Sequence, residues 1–236
     1  MQMKRVPKGH RFPVSVISHA VWLYHRFNHS YRDVAEQLMY RGIDISHEAI
    51  RNWCYKFSSH FKTIIKKREY KVSDKWHLDE MTIRINGKYF ILWRAVDSMG
   101  YELDVFLQKR RNKKSAIRFL SRLLGSYPIP RVVITDKLRS YIQPIRTMCF
   151  KTEHRSHKGL NNRVENAHQP TRRKEKCLIR FKSPQGVQNA ISLMGKVRNI
   201  FSVNVGRYTN NSITQRAEFR KAKFIWNDAA QRLLAA

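Results

Sequence analysis

The stretch KWHLDEMTIRINGKYFILWRAVDSMGYELDVFL, Lys75 to Leu107, decides the fold. Its first eleven residues, Lys75 to Ile85, alternate with the period of two that a strand imposes. Asn86-Gly87 is the residue pair that tolerates the positive φ angles of a two-residue hairpin turn. Lys88 to Val96 is then a second strand, rich in aromatic and branched side chains. Asp97-Ser98-Met99-Gly100 makes a second turn, and Tyr101 to Leu107 a third strand. Connections this short leave antiparallel pairing as the arrangement for all three strands.

Beyond Leu107 the period changes. A basic block, Lys109-Arg110-Arg111-Asn112-Lys113-Lys114, leads into a helix from Ser115 to Leu124, with Ile117, Leu120, Leu123 and Leu124 on one face. Arg131 to Thr135 is a short, mostly apolar run of the kind buried in parallel pairing, and it ends at Asp136. A helix around Arg139 to Met148 and a short strand near Phe150 to His154 follow. A basic loop, Arg155 to Asn162, precedes a helix carrying Glu165. Ser183-Pro184 opens another helix, with Val187, Ala190, Ile191, Met194 and Val197 facing inward. Three antiparallel strands followed by helix-strand-helix-strand-helix predict an α/β fold, a ribonuclease-H-like mixed sheet with helices on both faces, over residues 75–203.

Toward the N-terminus, residues 1–58 read as a separate helical domain. Pro13-Val14-Ser15 opens a helix with Val16, Ala20, Leu23 and Tyr24 on its apolar face. Ser30 with Asp33 forms a capping-box pattern ahead of a second helix, which Arg41-Gly42 ends. Ser46 caps a third, His47 to Phe57, with Ile50, Trp53, Cys54 and Phe57 inward. Helix, glycine-containing turn and helix is the plan of a helix-turn-helix, whose second helix presents His47, Arg51, Asn52 and Lys56 outward to a DNA groove. A plain helical bundle is the competing reading. Residues 59–74 read as a helix end and a basic linker, and residues 204–236 as a basic helical C-terminal tail, with a helix from Ser212 to Leu234.

Composition narrows the partner. The chain holds 47 Lys+Arg against 17 Asp+Glu, a formal charge of +30, so a polyanion is expected, and nucleic acid before a membrane surface. No apolar run approaches a membrane span, and MQMKRVPKGHR lacks the apolar core of a secretory signal. Cys54, Cys149 and Cys177 suggest neither a disulfide framework nor a zinc knuckle, as expected for a reducing cytoplasm.

Acids are scarce enough that their positions carry information. Asp79 lies mid-strand, Asp136 at the end of a buried strand, and Glu165 on a basic helix. Reactive groups gather at the carboxyl ends of strands in open α/β sheets. Carboxylates there suit two Mg²⁺ ions, which take carboxylate, water and phosphate oxygens together. Salt bridges to the abundant Lys and Arg are the alternative for each acid taken singly. Glu80 is the rival of Asp79, but adjacent strand residues point to opposite faces. Asp97 is explained by its turn, and His77 as a packed strand residue. Arg172, seven residues after Glu165, lies on the same helix face, as does His168 at i+3. Lys113 and Lys114 are further candidate phosphate contacts.

WHLDE, WRAVDSMG, RRNKKSA, ITDK, NNRVEN and the later FKSP together resemble the DDE transposases of bacterial insertion sequences, most closely insertion sequence family six. The resemblance covers nearly the whole chain. It implies Asp79, Asp136 and Glu165 as catalytic and metal-binding triad, and Arg172 as the basic residue after the glutamate. It further implies two Mg²⁺ ions, with Mn²⁺ as substitute. The DNA partners it implies are the element's terminal repeats and a target duplex. A homodimer or larger assembly in the bacterial cytoplasm, at the nucleoid, would hold two element ends together. One departure is visible: the Asp136–Glu165 spacing is shorter than the family's usual one. A DNA-binding regulator of transposition without catalysis is the competing class, and a structure-selective nuclease a third; transfer of specific strand ends separates them.

Overall fold

In the computed structural model, residues 5–69, 71–136, 138–156, 161–178, 181–201 and 212–234 are described. They fall into two compact units, residues 70–188 and residues 1–69 with 189–236.

The first unit is built on a five-stranded mixed sheet: β1 (Lys75–Ile85), β2 (Lys88–Asp97), β3 (Glu102–Gln108), β4 (Val132–Thr135) and β5 (Glu153–Ser156). The strand order is β3-β2-β1-β4-β5, with β1, β2 and β3 antiparallel and β1, β4 and β5 parallel. The β1–β2 turn has positive φ at both Asn86 (46°) and Gly87 (79°), the conformation that gives this dipeptide its hairpin preference. It fixes the register, so that Ile85 pairs with Lys88 and, six rungs on, Asp79 with Arg94. The turn at Asp97 is held by its own carboxylate. Oδ1 accepts from the amides of Met99 and Tyr101, both at 2.9 Å, and Oδ2 from that of Ser73 at 3.1 Å.

One sheet face packs Trp76, Leu78, Trp93, Ala95 and Val133 against α4 (Lys113–Leu124) and α5 (Ile142–Met148). The other face sets Val96 against Val164 and Ala167 of α6 (Asn162–Cys177). Helices therefore cover both faces, as the element order predicts. Helix α4 begins two residues earlier than expected, because Asn112 caps it by accepting from the amide of Ser115. Its inward face is Ala116, Phe119, Leu120 and Leu123, while Ile117, expected inward, is exposed. The strand expected near 150–154 runs from Glu153 to Ser156 instead. Of the basic loop expected over 155–162, residues 157–160 lie outside the described set.

The second unit is helical. It comprises α1 (Val14–Arg26), α2 (Tyr31–Met39), α3 (His47–Arg68), the later part of α7 (Pro184–Phe201) and α8 (Ser212–Gln231). Ser30 and Asp33 form the full capping box, and Ser46 accepts from the amide of Ala49. Gly42, at φ 73°, turns the chain between α2 and α3. The linker expected over 59–74 gives way through Arg68, because α3 continues and buries Phe61 and Ile65. The Phe61 ring stacks on Trp226 of α8 at 4.2 Å. The C-terminal helix is thus packed with the N-terminal ones rather than free as a tail, and residues 204–211 lie outside the described set. Among the described residues no helix is long and apolar enough to cross a membrane.

Candidate active site

Strand β4 ends at Thr135, whose partner on β1 is Leu78. Just beyond that rung β1 loses its parallel neighbour, and Asp79, Glu80 and Asp136 gather at the opening. An oxygen from each of the three lies within 4.8 Å of the others. The sequence expectation that Glu80 points away from Asp79 holds for the strand faces but not for the carboxylates. Asp79 is opposite Arg94 on the α6 face, and Glu80 opposite Trp93 on the α4 face. With no strand beside them, the longer glutamate side chain brings its carboxylate back to the edge.

The three acids are not equivalent. The Glu80 side chain is 2% exposed. Burial above all, then the charges of Asp136 and Asp79, push its pKa up to about 7 against the pull of Arg111. Arg111 Nε donates to Glu80 Oε1 at 2.6 Å, and its Nη2 approaches Asp136 Oδ2 at 3.6 Å. Burial, then the charges of Glu80, Asp79 and Asp136, also hold the Tyr141 phenol well above its ordinary pKa. Asp136 Oδ1 accepts from the Leu138 amide at 3.0 Å. Three carboxylates this close, with one half-exposed guanidinium against them, form an all-oxygen donor set short of positive charge, which suits a hard divalent cation.

Asp79 is held from the other side of the sheet. His168 Nε2 lies 3.2 Å from Asp79 Oδ2, and Arg94 Nη1 is 3.1 Å from His168 Nδ1. Arg94 is itself buried. It donates to the Ala167 carbonyl, to Thr171 Oγ1 at 2.7 Å, and is paired with buried Glu102 at 3.1 Å. Burial first, with Arg94 and Arg172 adding, keeps the His168 pKa below its ordinary value, while Asp79 opposes. Arg94 and Glu102 were not singled out in the sequence. The signal was available: laying out the register from Asn86-Gly87 puts a cation opposite Asp79 in the middle of an apolar strand.

The structure thus brings Asp79 and Asp136 together with Glu80, and not with Glu165, which is exposed in the first turn of α6. That helix is tied to β1 by Asn161, whose Nδ2 donates to the Leu78 carbonyl at 2.9 Å. Arg172 is exposed further along α6. Lys113 and Lys114 are exposed in the first turn of α4, where Lys113 donates to Gln143 Oε1. In the helical unit Arg51 and Asn52 are exposed on α3, Arg51 pairing with Glu48 at 2.7 Å. Lys56, also exposed, lies 3.0 Å from His10 Nε2.

A mixed sheet with Asp136 just past the end of β4 and Asp79 and Glu80 beside it on β1, in a strongly basic chain, defines a nucleic-acid phosphoryl-transfer core. A family model described as a DDE domain matches residues 73–204. Over 163 residues the chain is 36% identical to the transposase for insertion sequence-like element IS431mec of Staphylococcus aureus strain Mu50, covering 67% of this chain and 73% of that protein. The transposase for insertion sequence element IS257 in transposon Tn4003, also of Staphylococcus aureus, matches with the same identity and coverage. Among solved structures, the HTLV-2 integrase catalytic core domain in complex with magnesium superposes with a TM-score of 0.44 at 20% identity, covering 59% of this chain and 93% of that one. The chain belongs to the DDE transposases of bacterial insertion sequences, enzymes of DNA recombination.

Proposed function

We propose that this transposase binds the terminal repeats of its own element and, with divalent metal, cuts there and joins the exposed 3′ ends to target DNA. The observation that carries this reading is the Asp79–Glu80–Asp136 carboxylate group at the open edge of β1. Asp79 and Asp136 hold the metal, Mg²⁺ or Mn²⁺, and Glu165 completes the set from α6 when DNA is engaged. A bound divalent ion supplies Lewis-acid activation of the scissile phosphate and of the attacking oxygen. Catalytic contacts that are loose in a free enzyme commonly tighten on its substrate. The test is strand transfer on a duplex carrying the element's flanking terminal repeats. Joined products should form with Mg²⁺ or Mn²⁺, vanish with EDTA and be absent from random duplex. Binding without any joining, under both metals, would instead mark a regulator.

The surrounding cations have the complementary task. Carboxylates repel phosphate, so Lys113, Lys114 and Arg172 must attract the duplex, while Arg51, Asn52 and Lys56 on α3 read the repeat. Two copies of the chain would hold the two ends. Affinity should therefore fall with salt by about 0.9 log units per log unit for each neutralised phosphate. In a salt titration, the double substitution Lys113→Ala and Lys114→Ala should flatten that slope and weaken all sequences alike. Arg51→Ala should lower affinity for the terminal repeat more than for random duplex; equal losses would make it a phosphate contact. Arg172→Ala should slow cleavage by roughly 10²-fold with a smaller loss of binding. If its rate and affinity fall in parallel, Arg172 is ordinary surface charge.

A further inference from the structure

Asp79 stands at the end of a chain of buried polar groups: Glu102, Arg94, His168, then the carboxylate itself. Arg94 is 2% exposed and His168 6%. A guanidinium has only donors, so the 3.1 Å contact from Arg94 Nη1 requires His168 Nδ1 to accept. The ring proton then sits on Nε2, which donates to Asp79 Oδ2 at 3.2 Å. Glu102, the Ala167 carbonyl and Thr171 Oγ1 fix the guanidinium, so the direction of the whole chain is set at the end opposite Asp79.

We propose that Arg94 and His168 are positioning residues of the metal site. Arg94 imposes the Nε2–H tautomer on His168, and His168 holds one oxygen of Asp79 so that the other is presented to the ion. The inference rests on Asp79 being a metal ligand, as proposed above. Partners of this kind, which orient a ligand without touching the metal, change metal affinity by about 10–100-fold when removed. The competing role is purely architectural, since Arg94 also ties β2 to α6.

The experiment uses the full chain and Mn²⁺ alone, titrated by electron paramagnetic resonance at fixed pH, with melting temperature measured separately in EDTA. His168→Leu should weaken Mn²⁺ binding at least about tenfold. His168→Gln, whose amide can donate from nearly the position of Nε2, should restore most of it. Arg94 alone cannot be removed cleanly, because buried Glu102 would lose its guanidinium counter-charge. The double substitution Arg94→Met with Glu102→Leu replaces the pair by apolar groups and should lose Mn²⁺ affinity to the same degree as His168→Leu. In the metal-free wild type, ¹⁵N correlation spectra should show His168 as the Nε2–H tautomer, and the double variant should lose that bias. An Nδ1–H tautomer in the wild type overturns the proposal. So does wild-type Mn²⁺ affinity in His168→Leu or in the double variant, and so does failure of His168→Gln to rescue, since an architectural role would lower the melting temperature alone. Absence of Mn²⁺ binding by the wild type would instead overturn the metal-site reading beneath it.

Discussion

Asp136→Asn should reduce strand cleavage by roughly a thousandfold or more while terminal-repeat binding stays within about twofold. The carboxylate lies just past β4, where an oxygen of each of Asp79, Glu80 and Asp136 comes within 4.8 Å of the others. Replacing it by an amide preserves shape and removes the charge needed to hold a cation. Asp79→Asn should have the same effect, and the two together should be no worse than either alone, because both serve one metal site. The third carboxylate is where sequence and geometry differ, and the same assay separates them. Glu165→Gln should be as inactive as Asp136→Asn, and Glu80→Gln should retain strand transfer within about tenfold. Glu80 Oε1 is already engaged by Arg111 Nε, which donates to it at 2.6 Å. An active Glu165→Gln beside an inactive Glu80→Gln would make Glu80 the third ligand. Wild-type cleavage by Asp136→Asn would remove the site altogether.

Asp97→Ala should be severely destabilising and not a catalytic lesion. Its fully buried carboxylate accepts from three backbone amides, those of Ser73, Met99 and Tyr101. Alanine leaves three donors without that acceptor at the end of β2. Each buried donor left unsatisfied costs about 1–3 kcal/mol, so a loss of roughly 3–5 kcal/mol is expected. The melting transition of the sheet unit should fall by about 10 °C or more. Asp97→Asn keeps one acceptor oxygen in place and should cost roughly half as much. At a temperature where it remains folded, it should still carry out strand transfer. Chemical denaturation with a parallel strand-transfer assay checks both points. A stable but inactive Asp97→Asn would show that this acid belongs to the chemistry.

Much of the fold is legible in the sequence alone. The positive-φ pair Asn86-Gly87, the Ser30–Asp33 capping box and the Ser46 cap are each written within a few residues, because turns and helix ends are satisfied by their immediate neighbours. The expectation that Ile117 faces inward on α4 fails because two apolar stripes overlap on this helix, and the one that packs on the sheet runs through Ala116, Phe119, Leu120 and Leu123. The length of α3 was missed for a different reason. Lys62, Lys66, Lys67 and Arg68 look like a solvated linker until Phe61 and Ile65 find α8 beside them. Lysine-rich helix faces are polar by composition, and only the partner reveals the buried stripe.

The sequence by itself determined the strand hairpins, their register, the order of helices and strands, and the basic charge that calls for a polyanion. It also singled out Asp79 and Asp136, since an acid inside an apolar strand and one at the end of a buried run stand out in a chain poor in acids. Tertiary structure alone decided which carboxylates meet. Glu80 joins the group because β4 stops opposite Leu78 and leaves β1 without a neighbour, a consequence of pairing between segments more than fifty residues apart. The same is true of the Glu102–Arg94–His168–Asp79 chain. Register can place Arg94 opposite Asp79, but only the packing of α6 on that face supplies the histidine between them.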